Sequence, residues 1–318
     1  MQKLRDVYGA RVEPVLYADL DDIDTTTRVA SHHDIIINTT LGFHPESAAA
    51  LVRGLANRKQ QTNRAVWLLH TSGTSNLADQ PLSGAYVHPP GKTFNDRHDD
   101  IHAYETHRNA LSPYPQRTSE LNVLSTSLAL GVRAIVIMSP TIYGRGTGAF
   151  NTSSIQVPAF VAAALTYGQA VVAGKGEGEW DNVHVEDLAD LYWRVLANIL
   201  DRAGADLPTG TKGIIFSGAA RHRWRDIAAG VGRAAHERGL VATAEVKELT
   251  LAEAAGVFPQ GSELRVELST GSFSRTESAV AREVLGWVPS RGQGEWERGF
   301  GEEVEAFVAR RKEGVEGK

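Results

Sequence analysis

The chain has 318 residues, with 33 Lys+Arg against 38 Asp+Glu and a net charge of −5; at roughly 150 residues per domain this is one large or two modest domains. The 42% hydrophobic content excludes a disordered chain, and the missing basic excess argues against a general nucleic-acid binder. With no cysteine, disulfides, thiolate metal sites and a cysteine nucleophile are excluded.

The first half alternates strand-like and helix-like segments. Residues 12–20 (VEPVLYADL) read as a strand ending in acidic turn residues. Residues 24–30 read as a short helix capped by Asp24 or Thr25. The apolar run 34–38 (DIIIN) suits a buried parallel strand. Residues 45–57 read as a helix with proline in its first turn, and 65–70 (AVWLLH) as a second buried strand closed by TSGTSN. The segment 79–113, rich in His, Asp, Pro and Gly, reads as a lid or binding loop. Residues 119–130 read as a helix, 133–138 (RAIVIM) as a strand, and 139–148 as a loop.

The second half is less regular. Helices are expected over 157–167, 185–200, 224–238, 250–255, 277–285 and 302–311, with strands over 213–217 and 240–248. The tail from 310 to 318 reads as frayed. The alternation predicts an α/β class: a doubly wound parallel sheet over 1–150 and a smaller α+β part over 151–318. Residues 181–200 are expected to return to the first part. In such sheets ligands bind beyond the carboxyl ends of the strands.

Four segments in series, VWLLHTSGTSNL, RAIVIMSPTIYGRGTG, WDNVHVEDLADLYWRVL and SRTESAVAREVLGWVP, resemble the extended short-chain dehydrogenase/reductase superfamily. Within it the chain is similar to the NAD-dependent epimerase/dehydratase group, in a fungal branch often labelled NmrA-like. The resemblance implies a Rossmann domain, a C-terminal substrate domain and NAD or NADP as cofactor. It implies that Asp19 and Leu20 lie at the adenine, and that Asn38, Thr39 and Thr40 line the nicotinamide-side ribose and phosphates. Thr71, Ser72 and Gly73 match the loop whose hydroxyl orients the substrate carbonyl. Pro140, Thr141 and Tyr143 match the loop that closes over the nicotinamide. His184 and Asp187 match a motif that supports the substrate pocket, to which Thr74 and Trp180 are also assigned. Trp180 reads equally well as core.

Two features depart from the family pattern. A dinucleotide site needs G-x-G-x-x-G between a strand and a helix, so that the backbone can approach the diphosphate. The chain instead opens inside what reads as the helix before the third strand, so the sheet is expected to be N-terminally incomplete by one βαβ unit. Gly144–Gly148 and Gly174–Gly178 read as ordinary turns. The catalytic Tyr-x-x-x-Lys is also absent. At its place stands Tyr114-Pro-Gln-Arg-Thr118, where Arg117 offers the charge and Pro115 is expected to disturb the helix. Tyr104-x-x-x-Arg108 is the second candidate.

The catalytic candidates are therefore Ser72, Tyr114 and Arg117. His98, Asp99, Asp100 and His102 read as a solvated loop, so no metal is expected. The expected function is NAD(P)-dependent oxidoreduction of a small carbonyl or hydroxyl metabolite in the cytoplasm. The alternatives are a cofactor-free descendant, either a non-redox catalyst or a binding or regulatory protein, and a truncated reading frame. The expected partner is a small molecule, with neither nucleic acid nor membrane. The sequence leaves the oligomeric state open, a homodimer included.

Overall fold

The computed structural model describes residues 2–312 and 314. Helix α1 (Gln2–Tyr8) leads into an extended stretch, then α2 (Ile23–Ala30). Asp22 caps α2 by accepting from the Thr25 amide, as short polar side chains do at helix starts. Strand β1 (Ile35–Asn38), helix α3 (Pro45–Thr62) and strand β2 (Trp67–Gly73) follow, and then the short β3 (Phe94–Asn95), α4 (Ile101–Leu111), α5 (Pro115–Leu130) and β4 (Arg133–Ser139).

Further on come β5 (Thr141–Tyr143), α6 (Gln156–Tyr167), β6 (Ala170–Ala173), β7 (Glu179–His184), α7 (Val185–Arg202) and β8 (Ile214–Phe216). The chain ends with β9 (Ala220–Arg223), α8 (Trp224–Glu237), β10 (Val246–Leu249), α9 (Leu251–Val257), α10 (Glu263–Thr270), β11 (Thr276–Glu277) and α11 (Gln293–Lys312).

The main sheet has the order β1-β2-β4-β8, parallel throughout. Alternation along the strands sends Ile36, Leu68, Ala134 and Val136 to one face and Trp67, Leu69, Ile135 and Ile137 to the other. The first face is covered by Val52 and Leu55 of α3 and by Val123 and Leu124 of α5. The second is covered by Leu188, Leu191, Val195 and Ile199 of α7, with Trp287. The fold is thus α/β, with helices on both faces of a parallel sheet. Among the described residues β1 has a partner only on its β2 side, and Ile37 stays 44% exposed.

A separate core forms from α6, α8, β6 and α11, where Phe160, Val161, Val231, Trp224, Phe300 and Val304 interlock. Residue β8 positions such as Ile214 and Phe216 pack in the main sheet although they follow α7 in the chain. The α2–α3 crossing depends on Gly54. A Cβ there would overlap the Ala30 Cβ and the Thr27 carbonyl.

Three expectations are corrected. Residues 12–20 form no strand and join no ladder, running irregularly to a bend at Ala18 and a turn at Leu20; a β-branched segment needs a neighbouring strand, and none pairs with it among the described residues. The 79–113 segment is no open lid. It carries β3 and the whole of α4, started by Asp100, which accepts from the Ala103 amide; charged residues on both sides of the helix had masked its periodicity. The helix expected over 277–285 is a single π-type turn, Val280–Val284, after the Thr276–Glu277 strand.

Candidate functional site

The carboxyl ends of β1, β2 and β4 open on one side of the sheet, where α/β proteins bind ligands. Asn38 ends β1. Its Oδ1 accepts from the Thr40 amide (3.1 Å) and hydroxyl (2.7 Å), fixing the loop that exposes Thr39 and Thr40. Its Nδ2 donates to Nδ1 of His70 on β2 at 3.0 Å. That bond assigns the ring proton to Nε2, which is buried without a partner. Burial pushes His70 down to about 4, so its ring is neutral.

Tyr114 lies next to this loop. It is the residue before α5, in extended backbone, and Pro115 fills the first helical position. There the missing N–H costs nothing and the fixed φ suits the turn. Pro115 therefore starts the helix and does not disturb it, which corrects the sequence-based expectation. The Tyr114 hydroxyl donates to Ser75 Oγ at 3.2 Å, and Ser75 in turn donates to Gln116 Oε1 at 2.5 Å. The Gln116 amide lies over Gly73, with Nε2 2.7 Å from where a Cβ would stand. Phe43 meets the Tyr114 ring edge-on at 5.9 Å. Burial raises the Tyr114 pKa, while the Ser75 bond and the Arg117 charge oppose the rise. The phenol is neutral at neutral pH and is set to donate a proton.

The other two catalytic candidates face inward. Ser72 is buried, and its Oγ accepts from Asn76 Nδ2 at 3.2 Å. Arg117 is 2% exposed; Nε and Nη2 donate to the Asn76 carbonyl at 3.0 and 2.8 Å, and Nη1 to the Ser112 carbonyl. Its guanidinium still lies 5.7 Å from the Tyr114 ring centre. Tyr104 points elsewhere, with its hydroxyl on His88 Nε2 at 2.9 Å.

Among the cofactor candidates, Leu20 and Thr40 line one apolar cavity of about 230 Å³, with Val15, Tyr17, Ile36 and Leu51. Asp19 is exposed at its edge and accepts from the Asp21 amide. Thr71 projects to the opposite face of the sheet from Ser72, and its hydroxyl meets Tyr192 of α7 at 2.5 Å. Pro140 and Thr141 are buried where β4 passes into β5, and the Thr141 hydroxyl has no partner. The Tyr143 ring is held between His184 (5.2 Å) and Trp296 (4.8 Å).

The substrate-pocket candidates are structural in their contacts. Thr74 is fully buried, and its carbonyl accepts from Ser274 at 2.6 Å. Trp180 is inside the second core, with Nε1 on Ser272 Oγ at 3.0 Å. His184 caps α7 by accepting from the Glu186 amide, and it packs where Gly144 leaves room. One residue past Tyr143, a cleft of about 1020 Å³ opens between Gly144–Ser154 and α11, lined by Arg145, Phe150, Glu302 and Arg310.

The residues fit a dinucleotide at its two ends and not in its middle. The Leu20–Thr40 cavity matches a flat ring, and the orphaned Thr141 hydroxyl sits at the strand ends. Among the described residues, however, no glycine-rich turn leads from a main-sheet strand into a helix N-terminus; the β1–α3 turn holds Gly42 alone. The start of α3 is capped by the His44 side chain, and Tyr114 stands before α5 without a side-chain cap. Gly144 and Gly174 adopt positive φ in turns that open no helix.

Sequence reasoning missed Ser75 and Gln116. Both lay in quoted segments, TSGTSN and Tyr-Pro-Gln-Arg. The signal was proline one residue past the tyrosine, which places residue 116 on the first turn of a helix facing the loop.

An oxidase, ucsJ, of an Acremonium species is 24% identical over 279 residues, 85% of this chain and 77% of that protein. The dTDP-glucose 4,6-dehydratase of Bacillus anthracis, solved with NAD, superposes with a TM-score of 0.62 at 12% identity, over 97% of this chain and 84% of that one. The UDP-glucose 4-epimerase of Thermotoga maritima, solved with UDP-glucose, gives 0.56 at 14% identity, over 92% and 83%. These two share the fold. The sequence profile of the NAD dependent epimerase/dehydratase family matches residues 2–205, and the chain belongs to that family.

Proposed function

We propose that the chain is an oxidoreductase of the epimerase/dehydratase kind, linked to NAD or NADP, acting on a small carbonyl or hydroxyl metabolite. The observation that carries this is the Tyr114–Ser75 hydrogen bond at the carboxyl end of a parallel sheet. What a nicotinamide contributes to such a reaction is the hydride; the residues contribute the proton. Tyr114 gives its phenolic proton to the substrate oxygen, and Ser75, held by Gln116, orients that oxygen. Arg117 stabilises the phenolate left behind through the charge it holds near the ring. Asn38, Thr39, Thr40 and Thr71 are assigned to the nicotinamide side, and Asp19 and Leu20 to the adenine. The cleft beside Gly144 gives room for a substrate larger than its reacting carbonyl.

Calorimetric titration with NADH and NADPH, followed by turnover of a panel of small carbonyls, tests this reading. It expects binding of one nucleotide and consumption of its reduced form, both steps of turnover depending on Tyr114. A chain that binds neither nucleotide and transfers no hydride overturns it.

A second reading is favoured by the missing diphosphate cradle among the described residues. It is a cofactor-free catalyst that moves only protons, an isomerase or dehydratase, through the same Tyr114–Ser75 couple. Turnover without nucleotide that disappears in Tyr114→Phe selects it. Assembly as a homodimer is open to the same preparations, by light scattering.

A further inference from the structure

Two carboxylic acids are buried beneath the candidate site. Glu105 of α4 and Glu120 of α5 are both 0% exposed. No arginine, lysine or histidine nitrogen lies within 4 Å of either among the described residues, although two buried arginines are near. Arg117 spends its N–H groups on backbone carbonyls, and Arg108 stacks on the Tyr86 ring at 3.4 Å. The two carboxyls lie close enough to interact, and neither Glu105 oxygen nor Glu120 Oε1 has a hydrogen-bond partner. Two bare carboxylates in contact, without an ion pair, are too costly to bury. One of them must be neutral, as in carboxyl dyads generally.

The pair is joined to the site by one residue. Asn76 is fully buried, and its Nδ2 donates to Glu120 Oε2 at 2.9 Å and to Ser72 Oγ at 3.2 Å. Its backbone carbonyl accepts from Arg117 Nε and Nη2. Asn76 directly follows Ser75, and Arg117 underlies the Tyr114 ring. Anchoring Asn76, by its side chain to Glu120 and by its backbone carbonyl to Arg117, therefore places both members of the proton-donating couple.

Resting on the reading of Tyr114 and Ser75 given above, the geometry points to Glu105 and Glu120 as a positioning pair that holds one proton between them and fixes the Tyr114–Ser75 couple through Asn76. Neither touches substrate. Burial raises both carboxyls, which agrees with that state. The charged and titratable groups around them are Arg117, Arg108 and Tyr104 on the same two helices. His70, from the strand below, is on the sheet face that also carries Ser72.

The test uses the whole chain and three measurements. Infrared difference spectra in H2O and D2O at neutral pH should contain a protonated-carboxyl band that Glu105→Gln and Glu120→Gln both diminish. Glu120→Gln keeps an acceptor for Asn76 and should hold kcat near wild type. Glu120→Leu removes it and should lower kcat on the order of 10–100-fold with little change in KM, as misplacement of a reacting group does. The ultraviolet titration of Tyr114, isolated as the difference from Tyr114→Phe, should shift in Glu120→Leu and not in Glu120→Gln. Circular dichroism checks that each variant folds. Absence of the carboxyl band overturns the inference, as does a Glu120→Leu variant that matches Glu120→Gln in both kcat and Tyr114 titration. Loss of all turnover in the wild type sinks the functional reading instead, while the infrared and ultraviolet measurements still decide the pair.

Discussion

Tyr114 and Ser75 are 39 positions apart in the chain and meet at 3.2 Å, one before a helix and one after a strand. The bond joins the two elements that bound the open end of the sheet. Removing the phenol's hydroxyl should remove the proton donor and leave the ring packed on Phe43. Tyr114→Phe is expected to lower kcat on the order of 10²–10⁴-fold, the usual range for a lost general acid, with a far smaller change in thermal midpoint. Steady-state kinetics beside calorimetric melting checks both.

Gly73 makes room for the Gln116 amide. A methyl group there would meet Nε2 at 2.7 Å, at the free end of a flexible side chain. Gly73→Ala should therefore fold, displace Gln116 and release Ser75 from its acceptor. The expected result is a fall in kcat of about tenfold with the melting midpoint nearly unchanged. A large drop in stability with normal kcat contradicts this.

Gly54 behaves differently, because its neighbours are the Ala30 methyl and the Thr27 carbonyl of the facing helix. Neither can rotate away. Gly54→Ala should destabilise by about 1–3 kcal/mol, the typical cost of overpacking. Urea unfolding measures the loss, and limited proteolysis should cut near α2 first.

His222 is wholly buried against Trp224 and Trp296, with burial holding its pKa down to about 3. Its folded pKa lies below its unfolded one, so the unfolded chain binds more protons as the pH falls below 6.5. Stability from this group is full above 6.5 and is lost as the pH drops toward 3. His70, held at about 4, acts in the same sense. Asp96, raised to about 6 by burial, acts oppositely, losing stability as the pH rises from its unfolded value of 3.8 toward 6. The clean test is the difference between wild type and His222→Phe. Wild type should lose about 1–2 kcal/mol more between pH 7 and pH 5, by urea midpoints. Equal losses count against a neutral, buried imidazole.

Much of the fold was legible because period decides it. The runs around Ile36, Leu68 and Ile135 are apolar on both faces, and only a covered parallel strand allows that. The sequence starts the helix after Tyr114 at residue 119, whereas Pro115 opens it directly behind the tyrosine. What was not legible turned on tertiary partners. Residues 12–20 have strand composition and no neighbour to pair with. Helix α4 hides its core residues, Ile101, Glu105 and Arg108, behind two ionisable side chains that read as solvent-facing. Ser72 looked like the catalytic hydroxyl because it stands in the matching loop. It still belongs to β2, whose alternation turns it inward to Asn76, and Ser75 follows beyond the strand end. Trp180 and His184 carry chemistry-bearing groups that the fold spends on Ser272 and on a helix cap.

The one-sided pairing of β1 bears on exchange and on occupancy. A strand with one ladder has fewer shared bonds to break than β2 or β4, so its amides should exchange with deuterium well before theirs. The loop that holds Asn38, Thr39 and Thr40 hangs from this edge strand. Any ligand gripping that loop must also tighten β1, and slower exchange at Ile35–Asn38 becomes a direct reporter of binding that needs no knowledge of the reaction.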